Sequence, residues 1–84
     1  MSRESLRVSF ENRDKHIEFG LNVAFYRKRA GMTQEQLAEK IGISRAYMGE
    51  IEATNMLTNV TLEIIFNLAK ALNLSPSKLL EFRD

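Results

Sequence analysis

The residue types that carry out covalent chemistry are scarce in this sequence. Its 84 residues include no cysteine and a single histidine. His16 stands among Asp14, Lys15 and Glu18, and no second histidine or thiolate exists to complete a metal site. It reads as a solvated histidine at a helix start. No paired carboxylates, nucleophile–base set or glycine-rich phosphate loop is visible, so neither an enzyme nor a bound cofactor or metal is expected. The side chains that remain are suited to hydrogen-bonded recognition. The stretch Gln34 to Glu52 reads QEQLAEKIGISRAYMGEIE. Within it, Arg45 has a planar fork that can donate to O6 and N7 of guanine together, and Glu50 can accept from a cytosine amino group. The alternatives are a phosphate or solvent for Arg45 and a solvated charge for Glu50. Because its charge repels phosphates, Glu50 can also act as a specificity filter.

Such residues read a surface only if a rigid element presents them. Apolar spacing and capping residues predict five helices and no other regular structure. The first runs from Asn12 or Asp14 to Ala30, with Gly31 as its stop. It carries two apolar stripes, Phe19–Val23–Tyr26 and Ile17–Leu21–Phe25, where a surface helix needs one. The second opens on Thr33, with Gln36 three residues on as in a capping box. Leu37, Ala38 and Ile41 face inward, and Gly42 ends it. Ser44 caps the third, whose inward positions are Tyr47, Met48 and Ile51. Only Gly42 and Ile43 separate Ile41 from Ser44, so these two helices must cross steeply. Ile43, Met48 and Ile51 lock the third helix down, leaving Arg45, Ala46, Gly49 and Glu50 outside. A helix with small and hydrogen-bonding residues near its N-terminal end fits a major groove about 12 Å wide. A loop follows over Ala53 to Val60. The fourth helix begins near Thr61, with Leu62, Ile65, Leu68, Ala69 and Leu72 inward and Asn73 as its C-terminal cap. Ser75-Pro76 starts a short fifth helix carrying Leu79, Leu80 and Phe82.

Taken together, the motif RKRAGMTQEQLAEKIGISRAYMGEIE and the later NLAKALNLS resemble the Cro and phage-repressor family of helix-turn-helix proteins, also called the xenobiotic-response-element type. The resemblance covers Phe19 to Leu80. It implies an all-α, compact five-helix bundle containing a helix-turn-helix, like a repressor DNA-binding domain. It also implies a sequence-specific transcriptional regulator of double-stranded DNA, with the third helix in the major groove. By position, Thr33 and Gln34 match the start of the second helix, where Gln34 corresponds to a phosphate contact, and free backbone N–H groups there attract phosphate too. Ser44, Arg45, Ala46 and Glu50 match the face that reads bases or flanking phosphates, and Tyr47 a phosphate-contacting hydroxyl. Arg27 and Glu52 match a partly buried salt bridge that ties the first helix to the third. The sequence departs from the family in its loop, which is about two residues longer and has Thr54 and Asn55 where glycine is common. Asparagine tolerates a left-handed turn, and Asn55 stays a candidate DNA contact. Gly49 costs about 1 kcal/mol in mid-helix relative to alanine; either it lets DNA approach closely or it merely avoids a clash.

Composition bounds the rest. A chain of this length makes one domain, divided here into a flexible arm over 1–11, in which Leu6, Val8 and Phe10 alternate as a strand would, and a DNA-binding domain over 12–84. Twelve basic and eleven acidic residues leave a net charge of +1, so the case for DNA rests on geometry. No apolar run approaches the ~20 residues of a membrane span, no signal-peptide pattern opens the chain, and a cytoplasmic protein is expected. Surplus apolar residues at Phe25, Met56, Leu57, Ile64 and Phe82 point to a homodimer contact through Leu57, Ile64, Leu79 and Phe82, with a rearranged core as the alternative. Such a dimer would bind a palindromic operator. The rival reading is an antitoxin or adaptor whose main surface binds a toxin or other protein partner.

Overall fold

Hydroxyl side chains mark where helices begin. The computed structural model describes residues 10–82. In these, a 3-10 turn over Phe10–Asn12 leads into α1 (Arg13–Arg29), followed by α2 (Gln34–Ile41), α3 (Arg45–Glu52), α4 (Leu62–Ala71) and α5 (Pro76–Leu79). At α2, the Thr33 hydroxyl accepts from the Gln36 backbone N–H at 3.0 Å, and the Gln36 side-chain Oε1 accepts from the Thr33 backbone N–H at 2.8 Å, completing the expected capping box. Ser44 accepts from the Tyr47 N–H at 3.0 Å and Thr61 from the Ile64 N–H at 3.2 Å. Ser75 makes no such bond, and α5 relies on Pro76 in its first turn.

Helix ends are equally local. Gly31, Gly42 and Asn73 adopt φ of +76°, +80° and +60°. After each, the chain turns back on the helix: Met32, Ile43 and Leu74 donate to the carbonyls of Arg27, Ala38 and Ala69 at 3.1, 3.0 and 2.9 Å. A side chain at Gly42 would meet nothing within 4 Å, so glycine is needed there for its backbone angle and not for space. Asn73 is the one non-glycine residue with positive φ among those described, so the left-handed turn expected at Asn55 does not form. Of the predicted arm, Phe10 and Glu11 belong to the 3-10 turn; 1–9, with Leu6 and Val8, lie outside the described residues.

The core draws Phe19 and Val23 from α1, Leu37 and Ala38 from α2, Met48 and Ile51 from α3, Leu68, Ala69 and Leu72 from α4 and its end, and Leu79 from α5. Two expectations are corrected here. Leu79 is completely buried and cannot line a dimer surface; α5 is a single turn that plugs its one apolar side into the bundle. Leu62, expected inward, is 64% exposed, because the buried stripe of α4 is centred on Leu68 and Leu72 and passes it by. No helix among the described residues is long and apolar enough to cross a membrane.

Three contacts of α1 orient the bundle. At Gly20 the helix presses against α3: an added Cβ would collide with the Ile51 carbonyl oxygen and stand 3.3 Å from the Glu52 Cα. The buried Asn22 donates to the carbonyls of Leu79 and Glu81, both at 3.0 Å, and so anchors the segment around α5. Arg27 donates from Nε to Glu52 Oε2 at 2.7 Å, from Nη2 to Oε1 at 2.9 Å and from Nη1 to the Met32 carbonyl at 2.8 Å. The two side chains are 10% and 5% exposed. The bond to Glu52 raises the Arg27 pKa above its already high ordinary value, against the opposing effect of burial.

Replacing Gly20 with alanine should destabilise the domain by about 1–3 kcal/mol through overpacking against backbone, despite alanine's better helix propensity. The urea midpoint reads this directly, and a midpoint that rises would refute the tight crossing. Glu52→Ala should cost about 3–5 kcal/mol, since it strands the buried Arg27 charge. Thermal unfolding of that variant should show a large fall in Tm.

Candidate nucleic-acid interface

The third helix has two unlike sides. Met48 and Ile51 are buried against the core, whereas Arg45, Ala46 and Glu50 are exposed and Tyr47 and Gly49 half-buried. Its N-terminal end stands clear because the turn through Gly42 and Ile43 sets α3 across α2, with Ala38 fully buried on α2. The exposed side offers a guanidinium, a methyl group and a carboxylate, a mixture of donor, apolar contact and acceptor matched to base edges.

The other predicted residues divide by what already binds them. The hydroxyls of Thr33 and Ser44 both accept helix-capping bonds. The Tyr47 hydroxyl donates to the Asn59 carbonyl at 2.5 Å, pinning the loop over 53–60 to α3. Burial, and secondarily the Glu50 charge, raise its pKa, which keeps this proton in place. The Gln34 side-chain nitrogen donates to Glu52 Oε1 at 2.9 Å, which commits one N–H of its amide to the protein. Asn55 is exposed on the loop. At Gly49, an added Cβ would have Arg45 Nη1 at 3.5 Å and Gln34 Oε1 at 3.7 Å, ordinary contact distances. The glycine therefore does not relieve a backbone clash; it leaves a shallow notch between two polar side chains.

The apolar surplus lies partly where expected, with Phe25, Met56 and Leu57 exposed. Ile64 and Phe82 are half-buried against the core. Leu57 sits at 36% exposure, while Leu62 and Phe66, one turn apart on α4, reach 64% and 49%. Leu21 and Phe25 form a second exposed pair on α1. The predicted salt bridge Arg27–Glu52 is formed; Gly20, Asn22 and Phe66 escaped the sequence reading, and Leu62 was expected inward but is exposed. A glycine inside the apolar pattern of α1 was the available signal for Gly20. Among the described residues no cluster of three or more His, Asp or Glu side chains suits a metal.

Comparison with known proteins agrees with this geometry. A helix-turn-helix family model matches residues 23–79. The control protein C.SmaI of Serratia marcescens is 49% identical over 59 residues, which span 70% of this chain and 68% of that protein. SinR of Bacillus subtilis strain 168, a helix-turn-helix transcriptional regulator, is 32% identical over 62 residues, but the aligned part is only 55% of its length. Among solved structures, the restriction-modification controller protein C.AhdI from Aeromonas hydrophila superposes with a TM-score of 0.72 at 35% identity, covering 79% of this chain and 97% of that one. SinR in complex with DNA superposes with a TM-score of 0.69 at 32% identity, covering 75% and 98%. With more than half of its length matched by the family model, and the capped, closely packed α2 and α3 at its centre, the chain belongs to the helix-turn-helix family of DNA-binding transcription regulators.

Proposed function

We propose that this chain is a cytoplasmic, sequence-specific regulator that binds a palindromic operator as a homodimer, each protomer inserting α3 into a major groove. The observation that carries this reading is the two-sided character of α3, buried through Met48 and Ile51 and open at Arg45, Ala46 and Glu50. Arg45 reads guanine, and Ala46 and Glu50 flank it. Ser44, Thr33 and Asn55 lie along the neighbouring backbone, where phosphate contacts supply affinity and a steep salt dependence. A net charge of only +1 makes local geometry more important than long-range attraction. Occupancy of the operator blocks or recruits polymerase according to where the site lies.

The dimer contact is assigned to the exposed apolar pair Leu62 and Phe66 on α4. This replaces Leu79, which is buried, and moves away from Ile64 and Phe82, already packed on the core. Two-fold pairing through this face sets the half-sites about one helical turn, ~34 Å, apart. The exposed Leu21 and Phe25 on α1 favour a second reading, in which a protein partner docks on this apolar pair. The solved complex of SinR with SinI makes protein partners a precedent among relatives. Co-purification that is lost on Phe25→Glu, with dimerisation intact, would support it.

Arg45→Ala should weaken operator binding by ~1–3 kcal/mol and relax one base position. Titrating operator and scrambled duplexes at one fixed salt concentration tests this, and unchanged binding to both would sink the assignment. Phe66→Glu should leave the fold intact and shift the protein to monomer at concentrations where the parent is a dimer. Sedimentation equilibrium decides this, and an unchanged dimer would move the interface to another face.

A further inference from the structure

The notch over Gly49 has walls of fixed polarity. The Glu52 carboxylate, doubly bonded by Arg27, offers only acceptors, so the Gln34 group within 2.9 Å of it must be the amide nitrogen. That fixes the orientation of an amide whose two ends are otherwise interchangeable. The carbonyl oxygen of Gln34 is turned away from Glu52, toward the place where a Gly49 side chain would stand, 3.7 Å off. Arg45 Nη1 lies 3.5 Å from the same point. A donor fork and a single acceptor thus both border one point that no side chain fills. They are close enough to face neighbouring groups of one base pair.

Duplex DNA has one base pair that matches this order. Across the major groove, G·C presents two acceptors on guanine, N7 and O6, followed by a donor, the N4 amino group of cytosine. A·T presents acceptor, donor, acceptor, which meets the fork with a donor and the carbonyl with an acceptor. We infer that Gln34 is a specificity-determining residue: its outward carbonyl accepts from the N4 amino group of the cytosine whose guanine Arg45 reads, so that the notch over Gly49 takes one G·C pair in one orientation. This rests on the reading of α3 as the DNA-reading helix. It gives Gln34 a base contact in place of a phosphate contact and gives the missing side chain at position 49 a purpose. The buried Arg27–Glu52 pair then acts on specificity through Gln34, because it decides which end of the amide faces outward.

The test begins with duplexes selected from a random pool by the full chain and by its Arg45→Ala and Gln34→Met variants. Methionine keeps the length of glutamine but has no carbonyl. Both variants should lose preference at the same base pair, Gln34→Met by about five- to tenfold there. The selected operator is then remade with pyrimidin-2-one, which lacks the N4 amino group, in place of that cytosine. The parent should lose about the same factor on this duplex, and Gln34→Met should lose little more. This arm uses the unaltered protein and so does not depend on a variant folding. If the parent selects an operator but Gln34→Met keeps full preference at that pair, the inference is overturned. It is also overturned if pyrimidin-2-one weakens both proteins equally, since a merely weakened duplex would do so. If the parent selects no sequence at all, the DNA-reading role of α3 falls, and the inference with it.

Discussion

The arrangement turns on an arginine and a glutamate removed from water in a domain with little core to spare. Moving two charges out of solvent is costly, and the attraction between them repays that cost only when their remaining hydrogen-bonding capacity is used. Here it is. Arg27 directs a third donor to the Met32 carbonyl, and Glu52 accepts a further hydrogen bond from Gln34. Among the described residues no buried side-chain nitrogen or oxygen lacks a partner. The pair therefore joins the end of α1, the start of α2 and the end of α3 at a single point. Apolar contacts alone would allow these helices to slide and rotate over one another; the two-pronged guanidinium–carboxylate geometry does not. The close approach at Gly20 works in the same direction, since it brings the backbone of α1 directly onto α3 where Glu52 begins its reach.

What the sequence disclosed follows from how local each cause is. Thr33 with Gln36, Ser44, Thr61, Gly31, Gly42 and Asn73 act on residues no more than five positions away, so caps and stops were legible from residue type and spacing. The exposed side of α3 was legible for the same reason, its inner positions being marked by Met48 and Ile51. Long-range partners were not. Nothing near Asn22 says that its amide serves carbonyls more than fifty residues on, and Gln34 and Tyr47 found partners across the fold that composition does not announce. On α4 the inward positions Ile65, Leu68, Ala69 and Leu72 were legible, and only Leu62 was misjudged, in a run of apolar residues where the edge of the buried stripe is ambiguous. The tertiary packing of α5 buried Leu79, which its spacing alone does not disclose.

The first helix carries a load on both sides. One side supplies Phe19, Val23, Asn22 and Arg27 to the interior, and the other displays Leu21 and Phe25. The Phe25 ring stacks edge-on against Tyr26, with centroids 5.0 Å apart and planes at 82°, which fixes its orientation without covering it. A helix so weakly amphipathic stays in place because specific polar contacts hold its inner side, and its outer side is free to serve recognition.

The tie between Tyr47 and the loop has a consequence for how this protein can diverge. The phenol bonds to the main-chain carbonyl of Asn59, and every amino acid supplies a main-chain carbonyl. The anchor therefore makes no demand on the side chain at that position. Substitutions along the loop can accumulate while its far end stays moored to α3. A lineage can thus remodel the neighbourhood of that helix, and with it the range of operators it accepts, without first losing the attachment.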